Sequence, residues 1–273
     1  MIGVALLARG RRPAVVTFHL LSPRLSGLGQ DLLFGRWTPW APMLLASSLL
    51  SPLVLVGLTD DDTRRIRRAF PGCRVETVAN APPPPSPGPP IGLPFGPGVR
   101  LLVIGRLDEQ KGIDRLLDAL AREPMRSAAW SLCVVGDGKA RQELVAQATR
   151  LGLGERVRFA GFLPGSRVLR EADWLLAPSR SEGMPLTVLE AMEAGVPVMA
   201  SAISSHVELL SSTPEAILPR AVERWSSALA ACLDPQTRDR VRAAQARALP
   251  LYSRERQDHA YAALYRDILL RRR

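Results

Sequence analysis

The chain is 273 residues long, 47% hydrophobic and 23% charged, which excludes a disordered or fibrous protein and leaves room for two modest domains or one large one. Its formal charge of +10 is carried almost wholly by arginine, with Lys111 and Lys139 as the lysines, and the cations are not interleaved with aromatic residues. That pattern disfavours nucleic acid as a partner and leaves an anionic lipid surface, a phosphorylated substrate or plain compositional bias.

In chain order, the opening "MIGVALLARGRRP" is apolar first and basic after, the reverse of an export signal. "AVVTFHL" (14–20) reads as a short buried strand. "APMLLASSLLSPLVLVGL" (41–58) carries no charge over eighteen residues, but Pro52 divides it. A spanning helix needs about 20 apolar residues, so the reading is a helix feeding a buried strand, "LVLVGLT" (53–59). "DDDTRRIRRAF" follows as a helix with acids at its start, where the helix dipole favours them. "CRVETVAN" (73–80) is a third strand. The nine prolines of "APPPPSPGPPIGLPFGPG" (81–98) exclude a helix or a sheet interior and read as a stiff extended linker at a domain boundary.

Beyond the linker, strands and helices alternate: "VRLLVIGRL", "GIDRLLDALARE", "WSLCVVGDG", "ARQELVAQATRLG", "RVRFAGFL", "SRVLREA", "WLLAPS", "PLTVLEAMEAG" and "VPVMAS". This alternation predicts an α/β fold with a doubly wound parallel sheet, whose ligands sit beyond the carboxyl ends of the strands. Those ends carry Gly105, Arg106 and Lys111, then Gly136-Asp137-Gly138, then Pro178 to Gly183 with Glu182. Pro185 suits the first turn of a helix that Gly195 and Pro197 close, with Glu182 in the loop before it and Glu190 about one turn inside. Unpaired N–H groups at that helix start favour a phosphate, and a carboxylate on either side accepts sugar hydroxyls. Cys73, Cys133 and Cys232 are scattered, as are His19, His206 and His259, so no disulfide framework and no metal site is expected, and the compartment expected is a reducing one, the cytoplasm.

The ordered set "VIGRLDEQKGIDRLLDAL", "VVGDG", "VRFAGFL" and "APSRSEGMPLTVLEAMEAGVPVMAS" resembles the C-terminal domain of the retaining GT-B glycosyltransferases of family four. The resemblance implies a GT-B fold with a partial acceptor-side α/β domain (1–80), the proline linker (81–98), a Rossmann-like nucleotide-sugar-binding domain (99–252) and a closing helix (253–273) returning to the first domain. That helix shows an apolar face at Tyr261, Leu264, Tyr265 and Ile268. It also implies residue roles. Arg106 and Lys111 would bind the diphosphate, Glu182 would approach the sugar, and Glu190 would take the ribose hydroxyls. Gly183, Met184, Pro185 and Leu186 would offer backbone contacts, with Gly105 and Gly136 at the strand ends and Phe162 near the base. "RRPAVVTFHLLSPR" resembles the end of the family's N-terminal domain and would bring His19 to the donor sugar, completing a catalytic set with Glu182, Arg106 and Lys111. "SSHVELL" resembles a family glycine loop, with Ser204 and Ser205 in place of glycines, and adds His206 and Glu208 as candidates. Each residue also has a plain structural reading: a solvated charge after a strand, a turn glycine, a strand-end histidine.

The function implied is transfer of a hexose, with retention, from a nucleoside-diphosphate sugar to a glycan, lipid or small-molecule hydroxyl, in polysaccharide or glycolipid biosynthesis and without a metal. The rivals are a non-catalytic nucleotide-sugar-binding remnant or split-enzyme subunit, and a GT-B epimerase acting on the nucleotide sugar itself. The Gly-rich strand–helix units that open the family's first domain do not precede residue 1, and the explanations left open are a split gene, a misplaced start or pairing with a separately encoded N-terminal segment. The isolated chain is expected to bind donor, to transfer slowly or not at all, and to aggregate or attach to the cytoplasmic membrane face through 41–58.

Overall fold

The computed structural model describes residues 14–17 and 53–270. His19 and residues 41–52 of the uncharged segment lie outside those residues. The chain divides into two units. The first comprises Met1–Ala81, Glu182–Met184 and Ser253–Arg273; the second comprises Pro82–Ser181 and Pro185–Tyr252.

In the first unit, the apolar runs β1 (Ala14–Thr17) and β2 (Leu53–Gly57) pair in parallel with the mostly polar β3 (Arg74–Thr77), in the spatial order β1-β2-β3. Between β2 and β3 runs α1 (Asp60–Ala69). Thr59 caps it by accepting the Asp62 N–H at 3.1 Å, three aspartates fill its first turn, and Arg67 and Arg68 stand in its last, each sign at the dipole end that stabilises it. The closing helix, α9 (Arg254–Leu270), buries Leu264 and Ile268 against Val54, Val56 and Val78. Each such side chain contributes roughly 1.5–3 kcal/mol on burial. The Tyr261 hydroxyl lies 3.2 Å from that of Thr17, and Arg74 bridges Asp267 and Glu76.

The second unit is a six-stranded, wholly parallel sheet: β4 (Val99–Ile104), β5 (Trp130–Val135), β6 (Val157–Gly161), β7 (Trp174–Ala177), β8 (Val198–Ser201) and β9 (Ile217–Leu218). The helices between them are α2 (Ile113–Leu120), α3 (Arg141–Arg150), α4 (Gly165–Val168), α5 (Leu186–Glu193) and α6 (Ser204–Leu209), followed by α7 (Trp225–Leu229) and α8 (Pro235–Ala248). β5 is buried at every position, as a central parallel strand covered on both faces must be. Trp130, Trp174 and Trp225 anchor the core, and each indole N–H finds a backbone carbonyl, of Met125, Cys232 and Pro219 respectively. α8 opens at an Asp234-Pro235 step, with Asp234 accepting from Gln236 and Thr237. Its buried Gln245 forms two 2.9 Å hydrogen bonds with the backbone of Val198 in β8.

The strand order is β6-β5-β4-β7-β8-β9. The chain winds outward from β4 in one direction, returns to β7, and winds out in the other. The order therefore reverses between β4 and β7, and the loops leaving those two strands diverge. Open α/β sheets bind ligands in the crevice such a reversal opens.

The prolines of 82–98 form no helix or strand, and they are stapled to the second unit. The Glu171 carboxylate accepts the N–H groups of Ile91, Gly92 and Leu93 at 3.1, 3.0 and 2.6 Å. Ser166 accepts from Ser86, and Arg167 donates to Pro89. With no helix or strand ladder to pair them, the N–H groups of the non-proline residues of this run find acceptors on α4 and the turn after it. One local reading shifts: Pro185 is the N-cap of α5, with φ −74° and ψ 110°, rather than a residue of its first turn.

Candidate functional site

The crevice between β4 and β7 is built first by glycine. Gly136, at φ +139°, presses so closely on the loop after β4 that a Cβ there would lie 1.8 Å from the Gly105 carbonyl oxygen. No side chain fits in that space. Backbone hydrogen bonds complete the seam: Gly105 N–H to Val135 at 3.0 Å, Gly136 N–H to Gly161 at 2.7 Å, and Leu107 N–H to Asp137 at 2.9 Å. The carboxyl ends of β4, β5 and β6 are thus drawn into one rim.

Two cations stand on the loop after β4. Lys111 lies across Gly105; a Cβ built on that glycine would meet Lys111 Cε at 2.8 Å and Nζ at 3.3 Å. The missing side chain is what lets the ammonium lie back over the strand end. Arg106 is two-thirds exposed, and its Nε donates to Asp108 at 2.5 Å. Asp108 also caps the 3-10 turn Glu109–Lys111 by accepting the Lys111 N–H. An anion at Arg106 therefore competes with a carboxylate already in place.

Arg180, in the loop after β7, locks that loop to the one after β4. Its guanidinium makes a two-pronged ion pair with Asp114 at 2.7 and 2.6 Å and donates to the Glu109 carbonyl at 2.7 Å. The Arg180 N–H reaches Gln110 O at 2.7 Å, and Gln110 returns a bond to Ser181 O at 2.8 Å. Arg115 adds a bond to Pro178 O at 2.8 Å and stacks over Trp225 at 5.0 Å. Burial pushes the Asp114 carboxyl up, but the hydrogen bonds and charge of Arg180 outweigh it and hold the group below the usual carboxylate range. The sequence puts Arg180 only within the run Pro178 to Gly183 and does not single out Asp114, because the two are 66 positions apart and only the strand order brings them together.

No side chain caps the start of α5, so the N–H groups of Leu186 and Thr187 lie outside its hydrogen-bonded ladder. Glu190 projects from the next turn toward Gly165. A Cβ on Gly165 would come 3.2 Å from Glu190 Oε2 and 3.8 Å from Ile104 at the end of β4. Burial, and after it Glu193, push the Glu190 carboxyl above the usual range. A half-buried carboxylate in this state gains from hydroxyl donors. Gly165, which leaves the notch for it, was not read from the sequence. Glu182, Gly183 and Met184, just before α5, group with the first unit, where the buried Met184 sulfur accepts the Asn80 N–H at 3.1 Å.

The family model "Glycosyl transferases group 1" matches residues 95–247, more than half of the chain. The chain belongs to that family. Among curated relatives, it is 32% identical over 182 residues to the lipopolysaccharide core biosynthesis mannosyltransferase LpsB of Rhizobium meliloti, covering 60% of this chain and 50% of that protein. It is 34% identical over 172 residues to the D-inositol 3-phosphate glycosyltransferase of Frankia alni, covering 59% and 42%. The chain spans half or less of the length of these relatives. Its fold is of GT-B type, as in the Thermosynechococcus elongatus sucrose-phosphate synthase (TM-score 0.73, 20% identity, 94% of this chain and 68% of that one). Anabaena HepE, solved in complex with UDP, is similar (TM-score 0.71, 21% identity, 94% and 73%).

Within this group 1 chain, the second unit brings Gly105, Arg106, Lys111, Gly136, Pro185, Leu186 and Glu190 to one sheet edge. Phe162 follows β6 at 81% exposure, open to stacking. His206 is wholly buried, with Nδ1 3.0 Å from the Ser201 carbonyl and 3.2 Å from its hydroxyl. Ser201 in turn donates to Ser179 O at 2.6 Å. His206 therefore sits beneath the loop after β7 rather than on its surface. Glu208 is half-buried on α6.

Proposed function

We propose that this chain transfers a hexose from a nucleoside-diphosphate sugar to an acceptor hydroxyl with retention of configuration, holding the donor in the crevice between β4 and β7. The observation that carries the reading is the Lys111 ammonium folded over Gly105 at the same sheet edge where Glu190 sits in the Gly165 notch. One is a cation for a diphosphate, the other an acceptor for ribose hydroxyls. The uncapped start of α5 adds two N–H donors and the positive end of the helix dipole.

As the glycosidic bond breaks, charge gathers on the departing diphosphate. Lys111, Arg106 and the start of α5 stabilise it, at about 2–4 kcal/mol for a well-placed donor. These groups supply the neutralisation without a metal. By the resemblance to family four, the role of Glu182 is toward the transferred sugar and that of Phe162 toward the base. Relatives named for lipopolysaccharide core assembly and for transfer to an inositol phosphate support a hydroxylated glycan, lipid or small-molecule acceptor. HepE, solved with UDP, makes UDP the first donor base to try.

Calorimetry with UDP and GDP tests the donor site. Glu190→Ala should weaken the bare nucleotide, whereas Glu182→Ala should weaken the nucleotide sugar more than the nucleotide. Equal loss of bare nucleotide in both variants would overturn the assignment. Transfer itself is read by the anomeric configuration of the product, and an inverted product would exclude the retaining reading.

A further inference from the structure

Lys111 stands on a short and weakly bonded piece of backbone. The 3-10 turn Glu109–Lys111 is three residues long, and its own hydrogen bonds are long, Lys111 N–H to Asp108 O at 3.2 Å and Gly112 N–H to Glu109 O at 3.1 Å. Such turns have poorer hydrogen-bond geometry than an α-helix. The residues on either side of Lys111 are held from outside, by the loop after β7. Arg180 takes both peptide carbonyls before it: its guanidinium donates to Glu109 O at 2.7 Å, and its N–H donates to Gln110 O at 2.7 Å. The Gln110 side chain donates back to Ser181 O at 2.8 Å. On the other side of Lys111, Gly112 has φ +64° and lies so near Pro178 that a Cβ would come 2.3 Å from that carbonyl oxygen. The Arg180 guanidinium is itself aimed by the fork it forms with Asp114, in the first turn of α2.

We propose that Arg180 and Asp114 are positioning residues for the donor diphosphate, acting through Lys111. The inference rests on the reading of Lys111 as the cation of that diphosphate. An ammonium stabilises a diphosphate fully only where Nζ meets the oxygens to within about half an ångström. Lys111 lies back over Gly105 from a turn whose residues on both sides are fixed by Pro178, Arg180 and Ser181. The turn's own two long bonds do not supply that precision. Charge and position make opposite demands on Asp114. Acting on the ligand by charge, this anion would repel a diphosphate, and its removal would tighten binding. Acting by aiming Arg180, it supports the turn, and its removal loosens binding.

The test is a double-mutant cycle on UDP affinity, read by calorimetry on the full chain at a temperature where thermal transitions show every variant folded. Arg180→Ala should weaken UDP about fivefold, and the same change in the Lys111→Ala background should matter less than about twofold. Asp114→Asn should weaken UDP about threefold, although it removes a negative charge. Arg180→Lys, which keeps the charge and loses the fork, should not restore affinity. Equal effects of Arg180→Ala in the two backgrounds would overturn the proposal and make Arg180 a charge acting on the ligand itself. So would tighter UDP binding by Asp114→Asn, full affinity in Arg180→Lys, or unchanged affinity in Arg180→Ala beside a weakened Lys111→Ala. A Lys111→Ala variant with native affinity would overturn the donor site and this proposal with it, so that single variant tells the two failures apart.

Discussion

The two units use the same parallel strand–helix grammar and differ in how their loops are held. In the first, most ion pairs are local: Arg64 and Arg65 with Asp61 one turn away, Arg74 with Glu76 across one residue. The second has local pairs too, such as Arg106 with Asp108, but the pairs that hold its loops span the fold: Arg180 with Asp114 over 66 positions, Arg100 with Asp173 over 73, and Arg238 joining Asp173 over 65. Local pairs stabilise a helix or strand that would form anyway. Long-range pairs fix the position of one loop against another, which a ligand site needs to within a fraction of an ångström. The crevice between β4 and β7 is held in this second way, and the seam at Gly136 belongs to the same design.

The comparison can be broken most severely at that seam. Gly136→Ala places a methyl group on the Gly105 carbonyl and should destabilise the protein by about 3 kcal/mol or more, read as a lowered urea midpoint. An unchanged midpoint would show that the loops after β4 and β5 are not closely pressed. Next in size is the ligand effect. Lys111→Ala should cost about 1.5–3 kcal/mol of UDP affinity by calorimetry. Arg106→Ala should weaken UDP as well, since a diphosphate there competes with Asp108 for the guanidinium. Unchanged affinity in both variants would place the diphosphate beyond this loop.

The long-range lock gives a smaller effect with a defined pH dependence. Arg180→Ala should cost about 1 kcal/mol at neutral pH, discounted because the pair is partly exposed. Arg64→Ala, in the local pair, should cost under about 0.5 kcal/mol. The Asp114 carboxyl is held below its ordinary value, so the stability it contributes is present above about pH 4 and is lost as pH falls through its depressed value. Thermal scans of the Arg180 variant and the native chain should therefore converge in acid. Parallel curves at every pH would show that the ion pair is not the source.

The smallest expected effect has the opposite sign. The Glu190 carboxyl is held above its ordinary value, so its ionisation costs stability above that raised value, and the cost vanishes below about pH 4. Glu190→Gln should raise the melting temperature slightly at neutral pH, with the gap closing in acid, while nucleotide affinity falls. A melting temperature lowered at neutral pH would mean that the charge is structurally compensated.

What the sequence by itself determined is whatever near neighbours dictate. The strands from β1 to β8, the capped α1, the alternation beyond the prolines and the cations and carboxylates at strand ends are all legible, because side-chain periodicity and turn chemistry act over a few residues. α8 escaped, although its Asp234-Pro235 start is a legible signal, because its arginine- and alanine-rich body shows little apolar face. Gly105, Lys111 and Glu190 could be named as candidates, yet only the tertiary structure decided what they touch. Nothing local to Gly136 reveals that the Gly105 carbonyl lies against it, and nothing local to Glu190 reveals the notch at Gly165. Nor does "SSHVELL" show that His206 points inward, or the proline run that Glu171 pins it. These contacts depend on strand order, which the burial of both sheet faces and the reversal between β4 and β7 impose on the chain as a whole.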